Sequence, residues 1–212
     1  SFLKFSMLLV ILLLAFLSAC SLVRRPAATT LIAIRTPVPD LPLFEKTLPV
    51  QLVVTTPDAN DGLKSDRIAL LFEEREIKFL ADAKWEAPVP VLIQRQIIRY
   101  LDATDAFSAV GSENLGLQSR YRLQSDLQRL HLCYTKGEDF PTAEIRLRLS
   151  VLDIAQGKIL ENKTLYFKEK AQGSGQEQLI DALDNVIYRA MLDTARWTAS
   201  LINGLEQKQS LQ

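Results

Sequence analysis

The sequence predicts an α+β fold, in which one mid-chain helix and a long C-terminal helix pack on one face of a mostly antiparallel mixed sheet. Three observations predict it: strict polar and apolar alternation over residues 143–152, an apolar helical face after Pro88 and Pro90, and a long apolar stripe near the C-terminus. The chain has 212 residues, of which 48% are hydrophobic, and this suits one sizeable domain rather than several.

The charge of the chain is balanced, with 25 Lys and Arg residues against 25 Asp and Glu residues. A neutral body has no net field with which to attract a polyanion. We therefore expect no nucleic-acid partner.

The first 19 residues have the layout of a secretory signal peptide. Lys4 precedes an apolar stretch from Met7 to Leu17, which leads through Ser18 and Ala19 to Cys20. About eleven apolar residues are too few to cross a hydrocarbon layer that needs roughly 20. Leu17 to Cys20 resembles a lipobox, so we expect cleavage between Ala19 and Cys20. The alternative is an ordinary signal peptide with a chance cysteine.

Residues 20–47 are predicted to be a Pro-rich tether that carries the lipid on Cys20. Five of the nine prolines lie between residues 26 and 49, and such a segment is extended and semi-rigid. The short apolar run over residues 30–34 could pair as an edge strand, where flanking prolines are tolerated.

A single domain is predicted over residues 48–205, beginning with a strand over Leu48 to Thr55. A hairpin follows, with one alternating set on each side of a charged reversal at Glu73 to Glu76: Ile68, Leu70 and Phe72, then Ile77, Phe79, Ala81, Ala83 and Trp85. The helix opened by Pro88 and Pro90 has an apolar face and a polar face: Val89, Leu92, Ile93, Ile97, Tyr100 and Leu101 against Gln94, Arg95, Arg99 and Asp102.

Strands are then predicted over 107–112, 120–134, 143–152 and 159–168, with a turn at Gln156-Gly157 before the last. The third of these strands separates into two faces: Ile145, Leu147, Leu149 and Val151 against Glu144, Arg146, Arg148 and Ser150. That separation indicates an antiparallel sheet with one solvated face.

The final helix is predicted to begin at a capping box formed by Ser174 and Glu177 and to end near Ile202, with Gly204 as its stop. Residues 206–212 are expected to form a polar tail. Because one small sheet cannot cover a helix of ~43 Å, we expect Ile187, Met191 and Ile202 to form an apolar patch for self-association or a partner. The alternative is a break near Asp193-Thr194 that folds the helix back.

No constellation of catalytic residues is found. The lone His131 is interpreted as a satisfied structural histidine, and Gly173-Ser174-Gly175 as a helix cap rather than a phosphate loop. Cys133 is expected to be a buried thiol, although a Cys20–Cys133 disulfide is the rival if Cys20 is not lipidated. Trp85 is expected in the core, with a partner surface as the alternative. We predict no enzyme, cofactor or metal site.

These features together resemble the ABC-type transport auxiliary lipoprotein family, which includes lipoproteins of MCE lipid-transport operons. The resemblance rests on the lipobox, the Pro-rich lead-in, the run Phe79, Trp85, Pro88 entering a helix, the strand opening Tyr121-Arg122-Leu123, and a final helix ending near Trp197.

The resemblance implies a non-enzymatic periplasmic accessory component of an ABC-type lipid or hydrophobic-solute transport system. It implies a diacylglycerol and an N-acyl chain on Cys20, docking to an MCE-type substrate-binding protein, and indirect association with an ABC permease and ATPase. Ser21, in place of an aspartate, implies sorting to the outer membrane. Two other classes stay open: a lipoprotein that itself binds a lipid in an apolar cavity, and a lipid-anchored hydrolase, which would need a strained polar cluster.

Overall fold

The computed structural model describes residues 29–44 and 47–210, so the predicted signal peptide, Ala19 and Cys20 lie outside the described residues. Within that part the chain forms nine strands and two α-helices. The strands are β1 (Thr30–Ile32), β2 (Leu48–Val54), β3 (Asp58–Ala59), β4 (Arg67–Phe72), β5 (Glu76–Trp85), β6 (Phe107–Ser112), β7 (Tyr121–Tyr134), β8 (Thr142–Asp153) and β9 (Lys158–Lys170). The helices are α1 (Val89–Asp102) and α2 (Gln176–Gln209).

The 14-residue strand β7 is the spine of a mixed sheet. Along one edge it pairs antiparallel with β8, which pairs in turn with β9. Along its other edge it pairs in parallel with β2, β3 and β4 in succession. Strand β6 extends the sheet beyond β2, and β5 and β1 extend it beyond β4. The predicted fold class is confirmed.

Strand β8 has the two faces that its sequence predicts, with one exception. Ile145, Leu147, Leu149 and Val151 are fully buried. Arg146 and Arg148 are exposed. Glu144, although it lies on the polar side, is buried.

The hairpin of β4 and β5 is confirmed, but its two strands do not keep one alternation throughout. Arg67 pairs with Lys84 and Ala69 pairs with Phe79, so β5 has three more residues than β4 between these pairs. Asp82 within this bulge has a left-handed φ of 58°. An odd number of extra residues reverses the faces of the strand. Ala83 and Trp85 are therefore buried, whereas Ile77, expected on the same face, is 56% exposed.

Helix α2 differs from its prediction at both ends. Gly175, not Ser174, is its N-cap and no side chain caps the first turn, so the predicted capping box does not form. The helix passes through Gly204 without ending and reaches Gln209. There the Tyr121 hydroxyl donates to Glu206 at 2.5 Å. Most of the predicted polar tail is thus the last turn of a docked helix.

The apolar patch predicted on α2 is wrong for the single chain. Ile187, Met191 and Ile202 are fully buried. Helix α2 packs against β7, β8 and β9 on one side and against α1 on another. The second element that packs on α2 thus belongs to the same chain. The alternative expectation, a break near Asp193-Thr194, is wrong as well, because α2 is continuous from Gln176 to Gln209.

Candidate functional site

The first candidate site comprises residues 30–43, called here the lead-in segment, which lie between the predicted lipidation site Cys20 and the predicted domain. Strand β1 pairs in parallel with β5, from Thr30 opposite Ala83 to Ile32 opposite Trp85. The short apolar run predicted as an edge strand is thus confirmed over Thr30–Ile32. The backbone N–H of Glu86 also donates to the Ile32 carbonyl at 2.9 Å.

Beyond β1 the lead-in segment crosses both helices. The Arg35 N–H donates to Asp184 Oδ2 at 3.2 Å, and the Thr36 hydroxyl donates to Gln96 Oε1 at 3.1 Å. The Tyr100 hydroxyl donates to the Pro37 carbonyl at 2.6 Å. Within the Pro-rich tether predicted over residues 20–47, the stretch from Thr30 to Pro37 is thus bound to the domain through backbone groups and the buried Ile34 side chain.

The second candidate site is the face of the sheet opposite the two helices, called here the outer face. Its centre is the Glu144 carboxylate, whose residue is only 3% exposed. Arg129 Nη1 donates to Glu144 Oε2 at 3.0 Å, the Tyr166 hydroxyl donates to the same oxygen at 2.9 Å, and Lys168 Nζ lies 2.7 Å from Oε1.

These contacts set the protonation of the cluster. Burial raises the pKa of Glu144, but the hydrogen bonds from Lys168, Tyr166 and Arg129 outweigh burial and leave that pKa below its ordinary value. The hydrogen bond to Glu144 raises the pKa of Lys168. Glu144 is an anion neutralised by cations of β7 and β9, which explains how a carboxylate predicted to be solvated can be buried.

Next to this cluster the outer face carries cations without carboxylate partners. Arg146 and Arg148 are exposed, and neither forms an ion pair with any described residue. The Arg146 guanidinium lies 6.0 Å from the centroid of the Tyr166 ring, which is itself 43% exposed. Arg148 also lines an open polar cleft of 590 Å³, and the carboxylates Asp58 and Asp126 line the same cleft.

A smaller cavity of 150 Å³ opens on the same face and is lined mainly by apolar side chains. Its lining includes Leu71, Ile77 and His131. The buried Nε2 of His131 has no hydrogen-bond partner and lies 3.7 Å from Glu144 Oε2. Burial lowers the pKa of His131, so this histidine is neutral. The sequence predicted a histidine with satisfied hydrogen bonds; His131 is buried, but its Nε2 has no hydrogen-bond partner among the described residues.

A third pocket, of 300 Å³, lies between the lead-in segment and the first turns of α2. Three carboxylates line it: Glu177, Asp181 and Asp184. Asp184 is only 8% exposed, and its Oδ1 has no hydrogen-bond partner among the residues that the structure describes. Burial raises the pKa of Asp184 to about 6.

The predicted partner residues are not brought together on any surface. Trp85, Ile187 and Met191 are each buried in the core, so none offers exposed area to a partner. For Trp85 this matches the preferred core interpretation. Cys133 is half-buried rather than buried, and partial desolvation raises the pKa of its thiol.

The sequence analysis did not recognise Glu144, Asp184 and Gln94 as buried polar residues. Glu144 could not be found, because only the strand register brings Arg129 and Lys168 to it. Gln94, assigned to the polar face of the mid-chain helix, is buried because its Nε2 donates to the Val54 carbonyl at 3.0 Å, where β2 ends.

Over residues 29–44 and 47–210, no group of three or more His, Cys, Asp or Glu side chains is arranged to hold a metal ion. Neither described helix combines the length and the apolar character needed to cross a membrane.

The fold and these sites define an α+β domain with a docked N-terminal lead-in and one open sheet face. The chain belongs to the family of ABC-type transport auxiliary lipoprotein components, whose model matches residues 36–195, about three quarters of its length. The resemblance inferred from the sequence is thereby confirmed. A search of the curated proteins gave no significant match.

Solved structures share the fold. A protein from Xanthomonas campestris superimposes with a TM-score of 0.76 at 22% sequence identity, over 85% of this chain and 99% of that chain. An uncharacterized protein superimposes with a TM-score of 0.60 at 13% identity, over 80% of this chain and 99% of the other. At these identities the similarity establishes the architecture alone.

Proposed function

We propose that this auxiliary lipoprotein is a non-enzymatic, lipid-anchored periplasmic component of an MCE-like ABC transport system for lipids or hydrophobic solutes. In this proposal Cys20 carries the lipid at the outer membrane, and the domain docks the substrate-binding component of the system. The ABC permease and ATPase are other chains.

The observation that carries the proposal is the open outer face. The two helices cover one face of the sheet, and the opposite face presents Arg146, Arg148 and Tyr166 beside an open cleft of 590 Å³. Arginine and tyrosine are enriched where proteins bind each other, and unpaired arginines are available for carboxylates of a partner. This combination favours docking.

The alternative is a lipoprotein that itself holds a lipid between sheet and helices. That interface is occupied by packed side chains, since Leu147 on β8 and Val186 on α2 are both fully buried there. The mainly apolar cavity of 150 Å³ lies on the outer face and is also lined by Arg129 and His131, so it is not purely apolar. Packing between sheet and helices therefore favours docking over lipid storage.

Charge reversal on the outer face tests the proposal. We expect the double substitution Arg146→Glu and Arg148→Glu to abolish co-purification of an MCE-type substrate-binding protein from detergent-solubilised envelopes, because a partner's carboxylates would meet like charge. The thermal melting temperature should stay close to that of the wild type, since both side chains are exposed.

The matched control is Arg95→Glu with Arg196→Glu, which makes the same charge change at exposed positions on the two helices. Equal loss of the partner in both double variants would indicate a general charge effect and contradict docking through the outer face. Retention of the partner in both would contradict it as well.

A further inference from the structure

The pocket between the lead-in segment and α2 contains a buried carboxylate that no group in the described chain neutralises. Asp184 receives one hydrogen bond, from the Arg35 backbone N–H to Oδ2, and its Oδ1 receives none. The Arg35 side chain lines the same pocket but makes no ion pair with Asp184 within 4.0 Å. A buried carboxylate in this state destabilises the fold unless a cation joins it.

The charged groups around Asp184 indicate which charge a ligand of this pocket would carry. Glu177 and Asp181 lie on the same helix face and line the same pocket, so three carboxylates there oppose one guanidinium. Asp181 and burial disfavour the anionic form of Asp184, whereas Arg35 favours it. An anionic or neutral ligand would leave this excess of negative charge unrelieved, and a cation would relieve it.

The residues that line the pocket favour an organic cation with an alkyl chain over a metal ion. Three carboxylates from one helix face do not form a metal-binding group among the described residues. Leu31 and Ile180 add apolar surface to the pocket, and Leu31 is 61% exposed. A charged nitrogen at the end of an alkyl chain matches both parts of the lining, and a volume of 300 Å³ accommodates one such chain.

We propose that this pocket binds a basic side chain, lysine or arginine, of a protein partner, with Asp184 as the buried counter-ion. A lipid ethanolamine head group is disfavoured, because its phosphate would lie beside Glu177 and Asp181 and be repelled. This inference rests on the proposed function in one respect: the proposed function makes the protein that supplies the basic side chain a component of the transport system.

The binding chemistry is tested on the full-length acylated protein in detergent, titrated with n-butylammonium and n-propylguanidinium as side-chain analogues. We expect a saturable rise in melting temperature with both ions and none with n-butanol, which has the same shape without the charge. The affinity should fall between pH 7.5 and pH 5, as Asp184 becomes protonated.

Asp184→Asn should weaken binding of both ions by about tenfold or more, because the charge-assisted hydrogen bond is lost. Asp139→Asn, at an exposed position in the turn between β7 and β8, makes the same charge change outside the pocket and should bind like the wild type. Equal affinities in the two variants, or binding of butanol as strong as that of butylammonium, would overturn the proposal.

Two other occupants give different results. Tighter binding of phosphoethanolamine than of butylammonium would identify a lipid head group and overturn a protein partner. If the wild type does not bind and the double variant Arg24→Gln with Arg25→Gln does, the chain's own basic residues fill the pocket, which overturns an external occupant. These titrations contain no transport partner. Their outcome therefore does not depend on whether the docking experiment succeeds, and the two proposals can fail separately.

Discussion

The surroundings of two buried carboxylates in this domain shift their pKa values in opposite directions. Glu144 has three donors from neighbouring strands and a lowered pKa, whereas Asp184 has one backbone donor and a raised pKa. The charge of Glu144 therefore stabilises the fold, and the charge of Asp184 destabilises it.

Glu144→Gln should lower the free energy of unfolding by about 1–3 kcal/mol at neutral pH, because hydrogen bonds to a charged group are replaced by weaker ones. Chemical denaturation at pH 7 measures this loss. Glu138→Gln removes one partner of the exposed Lys170–Glu138 pair and should have little effect. Similar losses in the two variants would mean that Glu144 contributes no more than a surface charge.

Asp184 should make stability fall as the pH rises. Its pKa is about 6 in the fold against 3.8 for the free side chain, so the folded state holds its proton longer than the unfolded state. The stabilisation is complete below about pH 4 and is lost between about pH 4 and 6, by up to about 3 kcal/mol. Arg35 and Asp181 also act on the pKa of Asp184, and Glu177 lines the same pocket.

Urea unfolding between pH 4 and 7 checks this slope in the wild type against Asp184→Asn. The free energy of unfolding of the variant should depend less on pH, because the contribution of Asp184 is removed, and this holds whatever the absolute stability of the variant. Parallel pH profiles for the two proteins would show that Asp184 titrates alike in both states.

The position of Asp184 could have been recognised in the sequence, and that of Glu144 could not. Ile180, Asp184, Ile187 and Met191 follow helical spacing, so a carboxylate in that apolar stripe is a visible anomaly. Glu144 lies in a regular alternation, and its burial depends on cations that are distant in sequence.

At the scale of elements, β8 is the part whose faces follow most directly from the sequence. Leu147→Ala should cost about 2–5 kcal/mol in the free energy of unfolding, because a fully buried side chain is deleted beneath α2. Arg148→Ala, one position along the strand, should cost little. Chemical denaturation of the two variants checks the register of β8. A larger loss of stability for Arg148→Ala than for Leu147→Ala would mean that the register is shifted by one residue.

Element types were predictable from periodicity, whereas several element ends and one strand face were not. Periodicity in β5 could not reveal the three extra residues near Asp82 that turn Ile77 outward. Gly204 is a reasonable stop signal by itself, but contacts of Glu206 with Tyr121 and Arg120 hold the helix past it. Such tertiary contacts override local preferences.

At the scale of the whole molecule, our proposal makes Cys20 the residue on which the location of the protein depends. Cys20→Ser should leave the chain unprocessed and unacylated, because the lipobox cysteine is the site of both steps in our proposal. Each acyl methylene contributes roughly 0.8 kcal/mol to membrane partition, so acylation of the wild type should hold it firmly. Electrophoretic mobility and metabolic labelling with palmitate check the prediction, and normal processing and labelling of the variant would contradict it.

If Cys20 carries the lipid as proposed, the docked lead-in segment also limits how far the domain can move from the membrane. With a lipid on Cys20, only the residues up to Thr30 separate the bilayer from the first strand, and ten residues span at most about 35 Å. A free tether reaching residue 47 would allow nearly three times that distance. A domain that stays within this distance of the bilayer samples a small volume. Its effective concentration toward another component at the same membrane is therefore high.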